Sequence, residues 1–173
     1  MKREILLILL FIFLFGTVSA ITVDKVDKGS VVIAELDNPA VYEFAINSGG
    51  TDRIEIYSLV GLTFSPVGAF DISPGTQAIE VKAYPSKDLR SRPGSYNLQY
   101  MIKGSTGVFE DTLNIKIVSL DNAISLSSSS FSPGDKNEIW TVKNIQNTNL
   151  DELTLTFNSA FFTAQKVVSL KPF

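Results

Sequence analysis

The stretch YNLQYMIKGSTGVFEDTLNIKIV, Tyr96 to Val118, decides the fold class. Tyr96, Leu98 and Tyr100 alternate with Asn97, Gln99 and Met101, and Ile102 continues the first face. Further on, Leu113, Ile115 and Ile117 face away from Asn114 and Lys116. A period of two is what a half-buried strand requires, because successive side chains project to opposite faces. Between the runs, Lys103-Gly104-Ser105-Thr106-Gly107 supplies turn residues, so the whole reads as a β-hairpin.

The same grammar extends upstream. In VYEFAIN, Tyr42, Phe44 and Ile46 oppose Val41, Glu43, Ala45 and Asn47. In RIEIYS, Ile54 and Ile56 oppose Arg53, Glu55 and Tyr57; in AIEVKAY, Ile79, Val81 and Ala83 oppose Glu80, Lys82 and Tyr84. Asn47-Ser48-Gly49-Gly50, Ser73-Pro74-Gly75-Thr76 and Arg92-Pro93-Gly94-Ser95 punctuate these runs with turn chemistry. Gly61 to Phe70 contains glycine but no lysine and leads into no helix, so it is a loop or edge strand rather than a phosphate loop. No amphipathic helix is expected after the N-terminal segment. The pattern predicts an all-β chain with about seven strands over residues 21–120, which fits an immunoglobulin-like β-sandwich.

A boundary is expected near Ser119-Leu120-Asp121-Asn122. Beyond it, Glu138, Trp140 and Val142 alternate with Ile139, Thr141 and Lys143, and Leu153, Leu155 and Phe157 alternate with Thr154, Thr156 and Asn158. AVYEFAIN-SGGTD-RIEIYS and NEIWTVKN-IQNTNLD-ELTLTFNS are the same unit twice: strand, Asn-bearing polar turn, strand. The serine run Ser127 to Ser130 reads as a surface strand end. Residues 121–173 hold material for about four strands, a partial second immunoglobulin-like domain. Half a sandwich leaves an unpaired edge, so the expectation is a piece of a longer multi-domain protein, or strands supplied by a partner.

Composition narrows the chemistry. Cys and His are both absent, so disulfides, thiolate nucleophiles, imidazole bases and the usual zinc ligands are excluded from this chain. Lys plus Arg number 15 against 18 acidic residues, with no basic cluster to neutralise phosphates, so no nucleic-acid partner is expected. Lys2 and Arg3 precede an apolar run from Ile5 to Phe15, and Val18 and Ala20 suit cleavage after Ala20. Residues 1–20 are read as a signal peptide rather than a retained span, since a span needs about 20 apolar residues. The chain is therefore expected outside the cell or on its surface. Any membrane attachment would come from an uncleaved signal or an anchor beyond the sequence.

Asp151 and Glu152 are adjacent, as are Glu110 and Asp111, and neighbours on a strand point apart. Asp24 and Asp27 lie in extended chain. None of these pairs has glycosidase geometry, and no catalytic residue, metal ligand or cofactor is assigned. Calcium, which takes oxygen ligands, would draw on the loop residues Asp52, Asp71, Asp121 and Asp135, although Asp is also an ordinary turn former. Among aromatics, Trp140 and Tyr42 are expected to be buried, whereas Tyr57 and Tyr84 face away from their apolar neighbours. Tyr57 and Tyr84 are thus the possible partner-binding residues, for a glycan or a protein.

Ser132-Pro133-Gly134-Asp135 with Trp140, Val142 and Asn144, and Val41, Phe44, Ile46, Asn47 and Gly49-Gly50 followed by Ser73-Pro74-Gly75-Thr76, carry a family likeness. They resemble the immunoglobulin-like repeat modules of bacterial and archaeal secreted and surface proteins, of NEW3/CARDB type. In such modules Arg92-Pro93-Gly94-Ser95-Tyr96 resembles the turn into the penultimate strand, with Tyr96 placed for a tyrosine corner. Asp37-Asn38-Pro39-Ala40 departs from the pattern, having no Pro-Gly before its strand. The resemblance implies an extracellular sandwich array serving as spacer, stalk or binding accessory, and no enzymatic activity. The function expected is an exported structural module. The alternative is an adhesion module using the exposed tyrosines and the sandwich loops.

Overall fold

The computed structural model describes residues 21–129, 139–160 and 163–172. The expected signal segment and the Ser132-Pro133-Gly134-Asp135 turn lie outside them. In chain order the strands are β1 (Thr22–Gly29), β2 (Val31–Ile33), β3 (Ala40–Ser48), β4 (Asp52–Tyr57), β5 (Leu62–Ser65), β6 (Ala69–Ile72) and β7 (Gly75–Pro85). Then follow β8 (Gly94–Gly104), β9 (Gly107–Val118), β10 (Ile124–Ser128), β11 (Trp140–Asn144), β12 (Leu150–Asn158) and β13 (Thr163–Leu170). Among the described residues the chain is all-β apart from short helical turns at Lys87–Arg90 and Leu120–Asn122.

The first nine strands form two sheets, ordered β1-β3-β7-β5 and β2-β9-β8-β4-β6. The sequence led us to expect about seven strands in this region. The additional ones are short: β2 has three residues, and the Gly61–Phe70 stretch divides into β5 and β6 around a cis Ser65–Pro66 bond. Alternation works as expected. Tyr42, Phe44 and Ile46 from one sheet and Leu98, Tyr100, Ile102, Leu113, Ile115 and Ile117 from the other share one core. Phe44 stacks on Tyr100 with ring centroids 5.1 Å apart, and the Tyr42 hydroxyl donates to the Asn114 carbonyl at 2.6 Å. Burying a side chain such as Phe44 contributes about 1.5–3 kcal/mol, so this stripe rather than any covalent staple holds the sheets together.

The turns follow from their residues. β8 and β9 close through a hairpin pairing Gly104 with Gly107. The Asp52 carboxylate braces it by accepting from the Ser105 amide at 3.0 Å and the Arg53 amide at 2.7 Å. Those amide bonds hold the Asp52 carboxyl below its ordinary range, the Ser105 contact contributing most. Gly61 is needed twice over: its φ is +63°, and a Cβ there would meet a Leu89 methyl at 2.6 Å.

Beyond the turn Leu120–Asn122 the architecture changes. Among the described residues β10 pairs only with β11, and β12 only with β13, giving two two-stranded ribbons. Leu153 is buried and Leu155 and Phe157 are half-buried, on the face that alternation assigned to them. Trp140 contradicts its expected burial. It is 44% exposed, tilted against Phe157 at 5.5 Å. The reason is cover: the described residues supply no strand beside β11 on its free edge, so one side of the indole faces solvent.

Candidate functional site

The best-built feature outside the main core is a seam. β2 is buried along all three residues because its sides face different cores. Val32 points into the main core, while Val31 and Ile33 join Val118, Ala123, Leu150 and Leu153 in a second apolar cluster. The C-terminal strand β12 thereby docks on the outer side of the β2–β9 edge. Polar contacts flank the seam: Lys116 Nζ donates to Gln146 Oε1 at 3.3 Å, and Gln146 Nε2 donates to the Asn122 carbonyl at 2.9 Å. The backbone amide of Leu120 donates to Glu35 at 2.7 Å.

Asn144, buried at the end of β11, organises the turn beside this seam. Its Nδ2 donates to the carbonyls of Thr148 at 2.6 Å and Lys171 at 3.0 Å, and its Oδ1 accepts from the Gln146 amide at 2.9 Å. At the end of β3 the corresponding work falls to Ser48, whose hydroxyl donates to the Gly50 carbonyl at 2.7 Å. Sequence reading paired Asn144 with Asn47. In the structure Asn47 is exposed and Ser48 is the buried residue.

Several clefts indent the surface of the nine-strand region, two of them lined by charges of both signs. One, of about 590 Å³, is lined by Asp52, Arg53, Glu55, Asp71 and Lys103 among others. Its charges alternate in sign across neighbouring strands, Arg53 opposite Asp71 and Glu55 opposite Lys103. Asp52 is already committed to the hairpin, so the arrangement is a solvated mixed-charge face. The other, of about 580 Å³, lies between the chain after β2 and the short helix, with Glu35, Lys87 and Arg90 on its walls. Arg90 is tied by Nη1 to the Leu36 carbonyl at 2.9 Å and to Asp37 at 3.0 Å.

Tyr57 and Tyr84 are half-buried rather than exposed, and they stand apart. Tyr57 is on β4 and Tyr84 on β7, in different sheets, each on the side away from its core-facing neighbours Ile56 and Ala83. They do not share a surface. The carboxylates considered for calcium are also dispersed. Asp52 and Asp71 lie on neighbouring strands, Asp121 is exposed in the turn at Leu120–Asn122, and Asp135 is outside the described residues. Among the described residues, no three metal-ligating carboxylates converge. Of the adjacent acid pairs, Asp111 is bound to Lys25 at 2.6 Å, while Glu110 accepts from Gln99 at 3.2 Å. Lys25 also donates to the Thr112 carbonyl, clasping the first strand of one sheet to β9 of the other.

Sequence reasoning missed the seam. The available signal was the run Val31-Val32-Ile33, three apolar residues without alternation, which marks a strand buried on both faces. No protein-family model matches this sequence, and no curated protein is detectably similar to it.

Proposed function

We propose that this chain is an exported, non-catalytic spacer of immunoglobulin-like units, whose task is to hold neighbouring units of a surface assembly at a fixed angle. The sheet orders support the immunoglobulin-like reading. β1-β3-β7-β5 follows the A-B-E-D order and β9-β8-β4 the G-F-C order of such sandwiches. Tyr96 donates to the Arg92 carbonyl, four residues upstream, which is the bond of a tyrosine corner. One departure stands out: the chain visits β5 in the first sheet before β6 in the second, between strands C and E. For the repeat, β3 and β4 lie in different sheets across a polar turn, and so do β11 and β12.

The observation that carries the spacer reading is the seam. A connection of one helical turn, backed by the buried residues Val31, Ile33, Val118, Ala123, Leu150 and Leu153, resists bending in a way a polar linker does not. The test uses the cysteine-free chain. Spin labels at Asn97→Cys and Gln165→Cys should give one narrow distance distribution, which broadens when Ile33→Asp puts a carboxylate into the seam. A broad distribution before that substitution would sink the spacer reading.

A second reading, partner binding through loops, draws on the β4–β5 loop. There Leu59 and Val60 are 76% and 56% exposed. Loss of adhesion in a Leu59→Ser, Val60→Ser variant with an unchanged label distance would favour it.

A further inference from the structure

We propose that the free edge of β12 is a docking surface for a second copy of this chain, pairing antiparallel with its own counterpart about Leu155. The inference does not rest on the spacer reading. β12 is nine residues long, and on one side it pairs with β13. Among the described residues no strand lies on its other side. A row of unpaired amides and carbonyls there is a template for strand addition.

The other sheet edges are shorter than β12 or carry charge: β10 and β11 have five residues each. β2 has three residues, and β5 and β6 have four each. β1 carries Asp24, Lys25, Asp27 and Lys28, with a register irregularity after Asp27. On the outer edge of β13, Lys166 interrupts the apolar pattern. β12 has Asp151 and Glu152 beside a register irregularity at its start, but the segment that follows, Leu153-Thr154-Leu155-Thr156-Phe157, has no charge, proline or glycine.

A second copy is the occupant because this segment is complementary to itself. In an antiparallel pair centred on Leu155, Leu155 opposes Leu155, Leu153 opposes Phe157, and Thr154 opposes Thr156. Glu152 opposes Asn158, so no like charges meet. Directly opposed residues share a face, which places the apolar side chains together on one side and the threonines on the other. Aromatic–aliphatic and Thr–Thr cross-strand pairs are favourable. The two-fold relation makes the contact closed and isologous, giving a pair rather than a fibre. A continuous β13-β12-β12-β13 sheet results. Leu126, Ile139, Trp140, Ile145 and Val167, all in the ribbon region, are also exposed.

Cysteine trapping in the full chain tests this, because the native sequence has no thiol to interfere. Under mild oxidation Leu155→Cys should form a covalent dimer. Chains with Thr154→Cys mixed with chains carrying Thr156→Cys should cross-link about tenfold faster than either alone, since only the mixture opposes two thiols directly. Both threonines are exposed, so these variants do not depend on tolerance of a core substitution. Thr63→Cys on β5 is the control. Equal rates for all variants, including the control, would overturn the proposal. So would Thr154→Cys cross-linking to itself as fast as the mixture, or no cross-link at all.

Discussion

Phe44 and Trp140 stand four residues before the buried side chains, Ser48 and Asn144, that close their respective turns, yet they meet opposite fates. Phe44 is fully buried and stacked on Tyr100, whereas Trp140 is 44% exposed. The strands carrying them have the same alternation, and each has one antiparallel neighbour on its upstream side, β1 or β10. What differs is the cover. β3 also has β7 along its second edge, and β8 and β9 contribute to the core that it faces. Alternation says which face a strand offers to a core. The strands laid over that face decide how far it is buried.

Truncation should separate the two positions most. Phe44→Ala removes a ring from a closed core and should destabilise by about 3–5 kcal/mol. Trp140→Ala, at a half-open site, should cost less than about 1 kcal/mol, near the range of surface substitutions. Urea unfolding followed by far-ultraviolet circular dichroism reads both, since the second variant has no tryptophan left. Equal losses would mean that Trp140 is covered in solution, and the contrast between the two regions would collapse.

Much of the nine-strand region was legible because its signals are local. Ile54 and Ile56, Leu113 to Ile117, and the Gly104–Gly107 hairpin each declare themselves within a few residues. The hydrogen bond from the Tyr96 hydroxyl to the Arg92 carbonyl is local too, spanning four residues. What escaped were properties set by distant chain. Val31 and Ile33 face Leu150 and Leu153 across more than a hundred residues, and no periodicity within β2 announces that partner. The exposure of Trp140 depends on strands that do not flank it, which its own strand cannot encode. Asn47 and Asn144 looked equivalent because each ends an alternating run. A one-residue offset between the two turns transfers the buried role to Ser48, and register is the property that local sequence specifies least.

The two turn residues offer a middle-sized comparison. Asn144→Ala would leave the Gln146 amide and the carbonyls of Thr148 and Lys171 without their side-chain partner in a buried setting. A loss of about 1–3 kcal/mol is expected, read as faster amide exchange in β10 to β13 with the nine-strand core unaffected. Ser48→Ala deletes a hydroxyl bonded within its own turn, so about 0.5–1.5 kcal/mol is expected there. If Asn144→Ala speeds exchange throughout β3 to β9 as well, the seam couples the regions so tightly that they unfold as one.

The smallest effect concerns the clasp between Lys25 and Asp111, which belongs to the closed region alone. The Lys25 ammonium, bonded to the carboxylate, holds the Asp111 carboxyl below its ordinary range despite some opposing desolvation. A carboxyl whose folded pKa is depressed adds stability above its unfolded value, about 3.9 for Asp, and loses it as pH falls through the folded value. Both side chains retain solvent contact, so the contribution at pH 7 should stay under about 1 kcal/mol and shrink in high salt. Asp111→Asn should therefore lower the urea midpoint slightly at neutral pH, with the deficit shrinking progressively below about pH 4. A deficit that held constant down that acid limb would assign Asp111 a packing role, and the two sheets would then be joined at this edge by shape rather than charge.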